Sequence, residues 1–356
     1  MTRLQQFESK LDELELDATI IKGSYNRRYL SGFTGSNAYL YISRNMKKLL
    51  TDFRYVEQAG KQASQFDIID YTREGLFPTL NKLIKEDNSK IIGFEDHVLT
   101  YQEYKQFAEG LDIMEFTPMG NIVEKIRMVK DDKELECIKK AASIGDLAYK
   151  HILEFTKPGV TEKEVALELE TCMKKNGAEN LSFDTIVASG LNSSLPHATP
   201  SKKKIEEGDF VTLDFGCIYK GYCSDMTRTF VVGKASEKQK EIYNIVLEAQ
   251  LKALDAVKAG CVGKDIDKIA RDVITEKGYG DNFGHGLGHC VGLFIHEEPR
   301  FSVGDETVFT ENMVVTVEPG IYIPGFGGVR IEDLVCVTKD GMVNFVSSPK
   351  QLIEVV

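Results

Sequence analysis

No apolar run in the 356 residues approaches the ~20 that a membrane-spanning helix needs, and no Cys-x-x-Cys pair is present. The first absence excludes a helical membrane span. The second excludes a zinc ribbon, and the seven cysteines (137, 172, 217, 223, 261, 290 and 336), odd in number and scattered, argue for reduced thiols over a disulfide framework. Basic residues are scarce as well. The formal charge is −11 and Lys202-Lys203-Lys204 is the only basic run, a solvated turn before Glu206-Glu207-Gly208-Asp209. A nucleic-acid surface needs a basic stripe, so no nucleic-acid partner is expected. The opening segment, Met1 to Asp17, is acidic and amphipathic without an apolar signal core, and a cytoplasmic protein is expected.

The length suffices for about two domains, and 42% hydrophobic with 28% charged residues is ordinary for a globular chain. Residues 1–120 read as an α/β layer domain of alternating helices and strands, with strands at Ala18–Ile21, Ala38–Ile42, Lys48–Thr51, Asp67–Tyr71, Ile91–Phe94 and Asp112–Phe116. Asn26 to Phe33 reads as a strand-connecting loop. A boundary near Thr117-Pro118-Met119-Gly120 opens a second domain, 121–356. There Asp131-Asp132 caps a long helix to Phe155, Thr161 with Glu164 caps the next, and Ser236 with Gln239 opens another. One interval separates Gly159 from Gly260 and Gly177 from Gly278. Each helix pair precedes alternating apolar segments, so the unit helix, helix, strand hairpin is used twice. A pseudo-two-fold α+β domain is expected, its halves sharing one sheet with the four helices on one face.

Each half carries two acids on paired strands. Alternate strand residues share a face, which puts Asp214 with Thr212, and Asp225 with Thr227 and Thr229. A hairpin turning at Tyr219-Lys220 would set Asp214 directly opposite Asp225. In the other half Glu318 and Glu332 are equidistant from Gly325. Four converging carboxylates cannot stay uncompensated in a low dielectric. Two divalent cations would cancel the charge, and paired ions are a known hydrolytic device. Four of the six histidines (197, 285, 289 and 296) lie near these acids in the chain, whereas His97 and His151 read as structural. Spacing leaves either His285 or His289 as ligand. One imidazole among oxygens suits Mn²⁺, Co²⁺ or Fe²⁺ as readily as Zn²⁺.

The motifs Asp214-Phe-Gly, Gly221-Tyr-Cys-Ser-Asp225-Met-Thr-Arg-Thr, His285-Gly-Leu-Gly-His289, His296-Glu-Glu-Pro, Val317-Glu318-Pro-Gly and Gly328-Val-Arg-Ile-Glu332-Asp resemble those of the pita-bread metallopeptidases, nearest to the prolidase and aminopeptidase P type. The resemblance implies a C-terminal pita-bread domain behind a smaller creatinase-like N-terminal domain. It implies two divalent ions, manganese or cobalt, with zinc or iron as alternatives, held by Asp214, Asp225, His289, Glu318 and Glu332. It thereby selects His289 over His285. It also implies Glu318 as general base, His296 and His197 as contacts to substrate or intermediate, and Arg330 beside the second metal. Cys290 and Phe294 depart from the pattern and put the pocket wall in doubt. Hydrolysis of an Xaa-Pro bond at the N-terminus of short proline-containing peptides is expected, by a dipeptidase or alternatively an aminopeptidase P, in a homodimer. Non-enzymatic relatives lack the full ligand set, which is intact here.

Overall fold

The computed structural model describes residues 2–355, so Met1 and Val356, the ends of the two expected domains, lie outside the described residues. The chain forms two units, 1–127 and 128–356. The division falls one short helix (Ile122–Arg127) later than the expected boundary at 120.

In the first unit a six-stranded mixed sheet runs in the order 67–70, 47–51, 38–43, 18–21, 91–94, 115–118. Its strands are short apolar runs, and Ile20, Tyr41, Leu50 and Ile92 bury against Leu80, Leu83 and Phe107 from the helices. The last strand starts at Glu115, later than the expected Asp112. The Asn26–Phe33 loop is a helix instead, Ser24–Ser31, ended by Gly32 at φ +79°. Its buried face carries Asn26 and Arg27 beside Tyr29 and Leu30. The Arg27 guanidinium donates to the carbonyls of Lys22, Gly35 and Ala38. With Asn26 and Arg27 among its inward residues the helix has a broken apolar period.

In the second unit the three expected helix starts are present, with reciprocal capping boxes at Asp131/Glu134, Thr161/Glu164 and Ser236/Gln239. The repeat extends to single hydrogen bonds. Gly159 N–H donates to Ile205 O, and Gly260 N–H to Phe309 O, both at 2.8 Å. The bond Glu162 N–H to Lys203 O is matched by Gly263 N–H to Thr307 O, each 3.1 Å. Gly159 and Gly260 have φ of +92° and +91°. The halves do not share one continuous sheet. A four-stranded sheet (354–355, 226–232, 210–215, 186–189) and a five-stranded sheet (297–301, 288–290, 314–317, 333–337, 342–344) form instead. Among the described residues no helix is long and apolar enough to cross a membrane.

Candidate metal centre

The first acidic hairpin pairs Phe210–Phe215 with Met226–Val232. Its turn is Lys220-Gly221, with φ of +48° and +84°, one residue beyond the expected Tyr219-Lys220. A two-residue turn of type I′ needs positive φ at both positions, which glycine supplies at the second. The register therefore places Asp214 opposite Thr227, not Asp225. Asp225 keeps its expected face, since a slip of two preserves the alternation.

In the second hairpin the pairs Val317↔Asp333 and Gly320↔Arg330 keep one count across the break at Pro319. Glu318 and Glu332 thus stand opposite each other, as equal spacing from Gly325 predicts. At the break Glu332 N–H leaves its own hairpin and donates to Thr227 O of the first half at 3.1 Å. That crossing brings the two acid pairs together.

Asp214, Asp225 and Glu332 each offer an oxygen within 4.8 Å of the others. His289 Nε2 lies 3.5 Å from Asp225 Oδ2 and 3.6 Å from Glu318 Oε1. Its Nδ1–H donates to Cys290 O at 3.1 Å, so the Nε2 lone pair faces the acids. The ring nitrogens of His285 are engaged elsewhere: Nδ1–H donates to Gly286 O and Nε2 accepts from Tyr322. Three carboxylates are each tied through one oxygen. Arg330 donates to Asp214 Oδ2 (2.6 Å), Thr227 to Glu332 Oε2 (2.6 Å) and Thr316 to Glu318 Oε1 (3.1 Å).

Without a cation this cluster is electrostatically unfavourable. Burial, then the neighbouring acids, raise the Asp225 and Glu332 carboxyls well above their ordinary range. Burial pushes Glu318 up to about 8 and holds His289 down at about 4. Asp214 Oδ1 and Asp225 Oδ1 are buried without a hydrogen-bond partner. Orphaned carboxylate oxygens beside a neutral imidazole lone pair form a donor set that fits divalent cations.

All five of these side chains, with His197, His285, His296 and Arg330, line one cavity of about 650 Å³. His197 reaches it from the segment after a 3₁₀ turn, Gly190–Ser194. The ring of His296 meets His289 edge-on at 4.6 Å. His97 and His151 are not among the lining residues and pair with Glu124 and Glu168. Sequence reasoning passed over Tyr322, whose hydroxyl accepts from Arg330 at 2.7 Å and donates to His285 at 2.9 Å. The available signal was Gly328, which pairs with Tyr322 across the hairpin. Arg300, also on the wall, was missed because it follows the motif and not a pattern of its own.

Residues 136–339 match the family model described as metallopeptidase family M24, and residues 3–129 match that of the creatinase/prolidase N-terminal domain. An Xaa-Pro dipeptidase of Pyrococcus furiosus is 42% identical, with 99% of each chain covered. The solved Xaa-Pro dipeptidase from Bacillus anthracis is 50% identical at a TM-score of 0.96, over 99% of this chain and 98% of that one. An X-Pro aminopeptidase from Thermotoga maritima is 39% identical at a TM-score of 0.92, over 97% and 100%.

Proposed function

The chain belongs to metallopeptidase family M24, and on that footing we propose that it is an Xaa-Pro dipeptidase using two divalent ions, manganese or cobalt, held by Asp214, Asp225, His289, Glu318 and Glu332. The observation that carries this reading is the set of three acids, Asp225 and Glu332 buried and Asp214 half-buried, within 4.8 Å of one another in the wall of a small-ligand cavity. Phe183, Ile186 and Pro196 give that wall apolar faces on which a proline ring can pack. Arg300 adds a guanidinium to the same wall, suited to the carboxylate that ends a dipeptide.

Bound cations supply an acidified water and polarise the scissile carbonyl. The Glu318 carboxylate accepts a proton from the attacking water and passes it to the proline nitrogen as the C–N bond breaks. His296, kept neutral by burial and by the nearby Arg300 charge, donates its ring N–H to the developing oxyanion. His197, on the exposed side of the cavity, holds substrate. Arg330 fixes the Asp214 carboxylate through its 2.6 Å bond.

Aminopeptidase P activity is the second reading, favoured by the likeness to the Thermotoga enzyme. Rates on Xaa-Pro dipeptides and Xaa-Pro-Yaa tripeptides with added Mn²⁺ or Co²⁺ separate the two. Arg300→Ala is expected to raise KM for the dipeptide and leave it unchanged for a tripeptide amide. If neither peptide class is cleaved, both readings fail.

A further inference from the structure

The strand pair that carries His289 is irregular. Its ladder runs Gly288↔Phe301 and His289↔Arg300, then shifts to Cys290↔Glu297. Between Cys290 and Glu297 the chain leaves the sheet and returns with His296, so this excursion has no ladder of its own to fix it. It is held from outside. Cys223, two residues before Asp225, donates its N–H to Gly292 O at 2.8 Å, and Gly292 N–H donates to Phe294 O at 3.1 Å. The Glu297 carboxylate folds back across the base: Oε1 accepts from Phe294 N–H at 3.2 Å, and Oε2 lies 3.2 Å from Lys130 Nζ. A Cβ on Gly292 would stand 2.5 Å from that Oε2, so only glycine lets the carboxylate lie against the loop.

Lys130 reaches this point from just before the long helix Asp132–Phe155. Its own N–H is anchored on Asn312 O at 3.0 Å and its ammonium also donates to Met128 O. The two side chains are 1% and 8% exposed. A buried ion pair is a poor source of stability, because apolar residues of the same volume serve as well; its best-attested use is to fix a register. Here the register concerned is that of the loop that delivers His296. We infer that Lys130 and Glu297 are positioning residues for His296, an assignment of role that rests on the peptidase reading above.

The test combines Lys130→Met with Glu297→Gln, removing both charges at nearly constant volume, in the wild-type and His296→Ala backgrounds. Turnover of an Xaa-Pro dipeptide with Mn²⁺ is measured together with bound manganese and, on cation-free protein, the His296 imidazole NMR signal. Expected are a fall in kcat of about tenfold or more in the wild-type background, less than about twofold in the His296→Ala background, unchanged bound manganese and a displaced His296 signal. Equal falls in both backgrounds, or an unmoved His296 signal, overturn the inference. A wild-type protein that cleaves no Xaa-Pro peptide sinks the function instead, and the NMR signal then decides the placement alone. Should the double variant not fold, Lys130→Arg, which keeps the charge and changes the reach, supplies the same comparison.

Discussion

Thr227→Val is the perturbation that isolates how the protein prepares its acids. The Thr227 hydroxyl donates to Glu332 Oε2 at 2.6 Å and accepts from Arg330 Nε at 3.1 Å, and the residue is fully buried. Valine keeps the shape and replaces that hydroxyl by a methyl. Glu332 then loses a hydrogen bond to a charged group, worth ~1.5–3 kcal/mol, and Arg330 Nε loses its acceptor at a cost of ~1–3 kcal/mol. The second loss weighs on the folded state with or without a cation, and so appears as a lower melting temperature. The first favours the ionised carboxylate, which is the form a cation requires, and so appears as affinity. At ~1.4 kcal/mol per tenfold, affinity for Mn²⁺ falls ~10–100-fold, the range in which outer-shell substitutions act. Calorimetric titration of cation-free protein with Mn²⁺ at neutral pH measures it. Thr227→Ser, which retains the hydroxyl, is expected to stay within about threefold of wild type. Valine and serine variants with equal affinities would refute the reasoning, because the hydroxyl would then be irrelevant.

The remaining predictions concern the pH response, the base and the turn. Glu318, at about 8 in the folded chain against 4.5 ordinarily, keeps a proton that the unfolded chain has released, so it makes stability fall as pH rises through that window. His285 and His289, held near 4 against 6.5, oppose this below 6.5, where the unfolded chain binds their protons. Cation-free protein is therefore expected to lose stability from pH 6.5 to 8, at up to ~1.4 kcal/mol per pH unit from Glu318, with the raised Asp225 and Glu332 carboxyls steepening the fall, and Mn²⁺ to flatten the slope. Melting temperatures in EDTA that rise across this range would contradict it. Glu318→Gln is expected to lower kcat by ~10²–10⁴-fold without changing the melting temperature of the cation-free protein downward; wild-type turnover would remove Glu318 from the chemistry. Gly221→Ala, at φ +84°, should cost ~1–2 kcal/mol by denaturant unfolding, and an unchanged midpoint would show that the turn does not set the register.

What was legible in the sequence was local. The capping boxes at Asp131, Thr161 and Ser236 involve residues three apart, and the strands that carry the acids alternate within a few residues. The face on which Asp214 and Asp225 lie was readable for the same reason, but their register was not. A turn moved by one residue shifts the partner by two and leaves every side chain on its side, so alternation cannot detect the error. Only the capacity of Lys220-Gly221 for positive φ decides it. Contacts such as Lys130 to Glu297 and Arg330 to Tyr322 join charged or hydroxyl groups whose partners follow no period, and no spacing rule exposes them. The helix Ser24–Ser31 was hidden because Asn26 and Arg27 occupy its inward face.

The repeat explains the acids but not the imidazole. The spacing that takes Ile205 to Phe309 also takes Asp214 to Glu318, so the two acids occupy matching places on matching strands. Neighbouring strands match too: Ser189 pairs with Val211 in one half as Cys290 pairs with Val315 in the other. His289 therefore corresponds to Ala188, which is 1% exposed and offers no ligand atom. Duplicated backbone hydrogen bonds preserve where Cα atoms stand and leave the side chains free to diverge. His285, His289 and His296 all belong to the second half, whereas the first half brings His197 alone to the cavity, so the imidazoles are unevenly divided about the acid cluster. On the peptidase reading proposed above, the side lined by His296 is the one that would offer an N–H donor to a developing oxyanion.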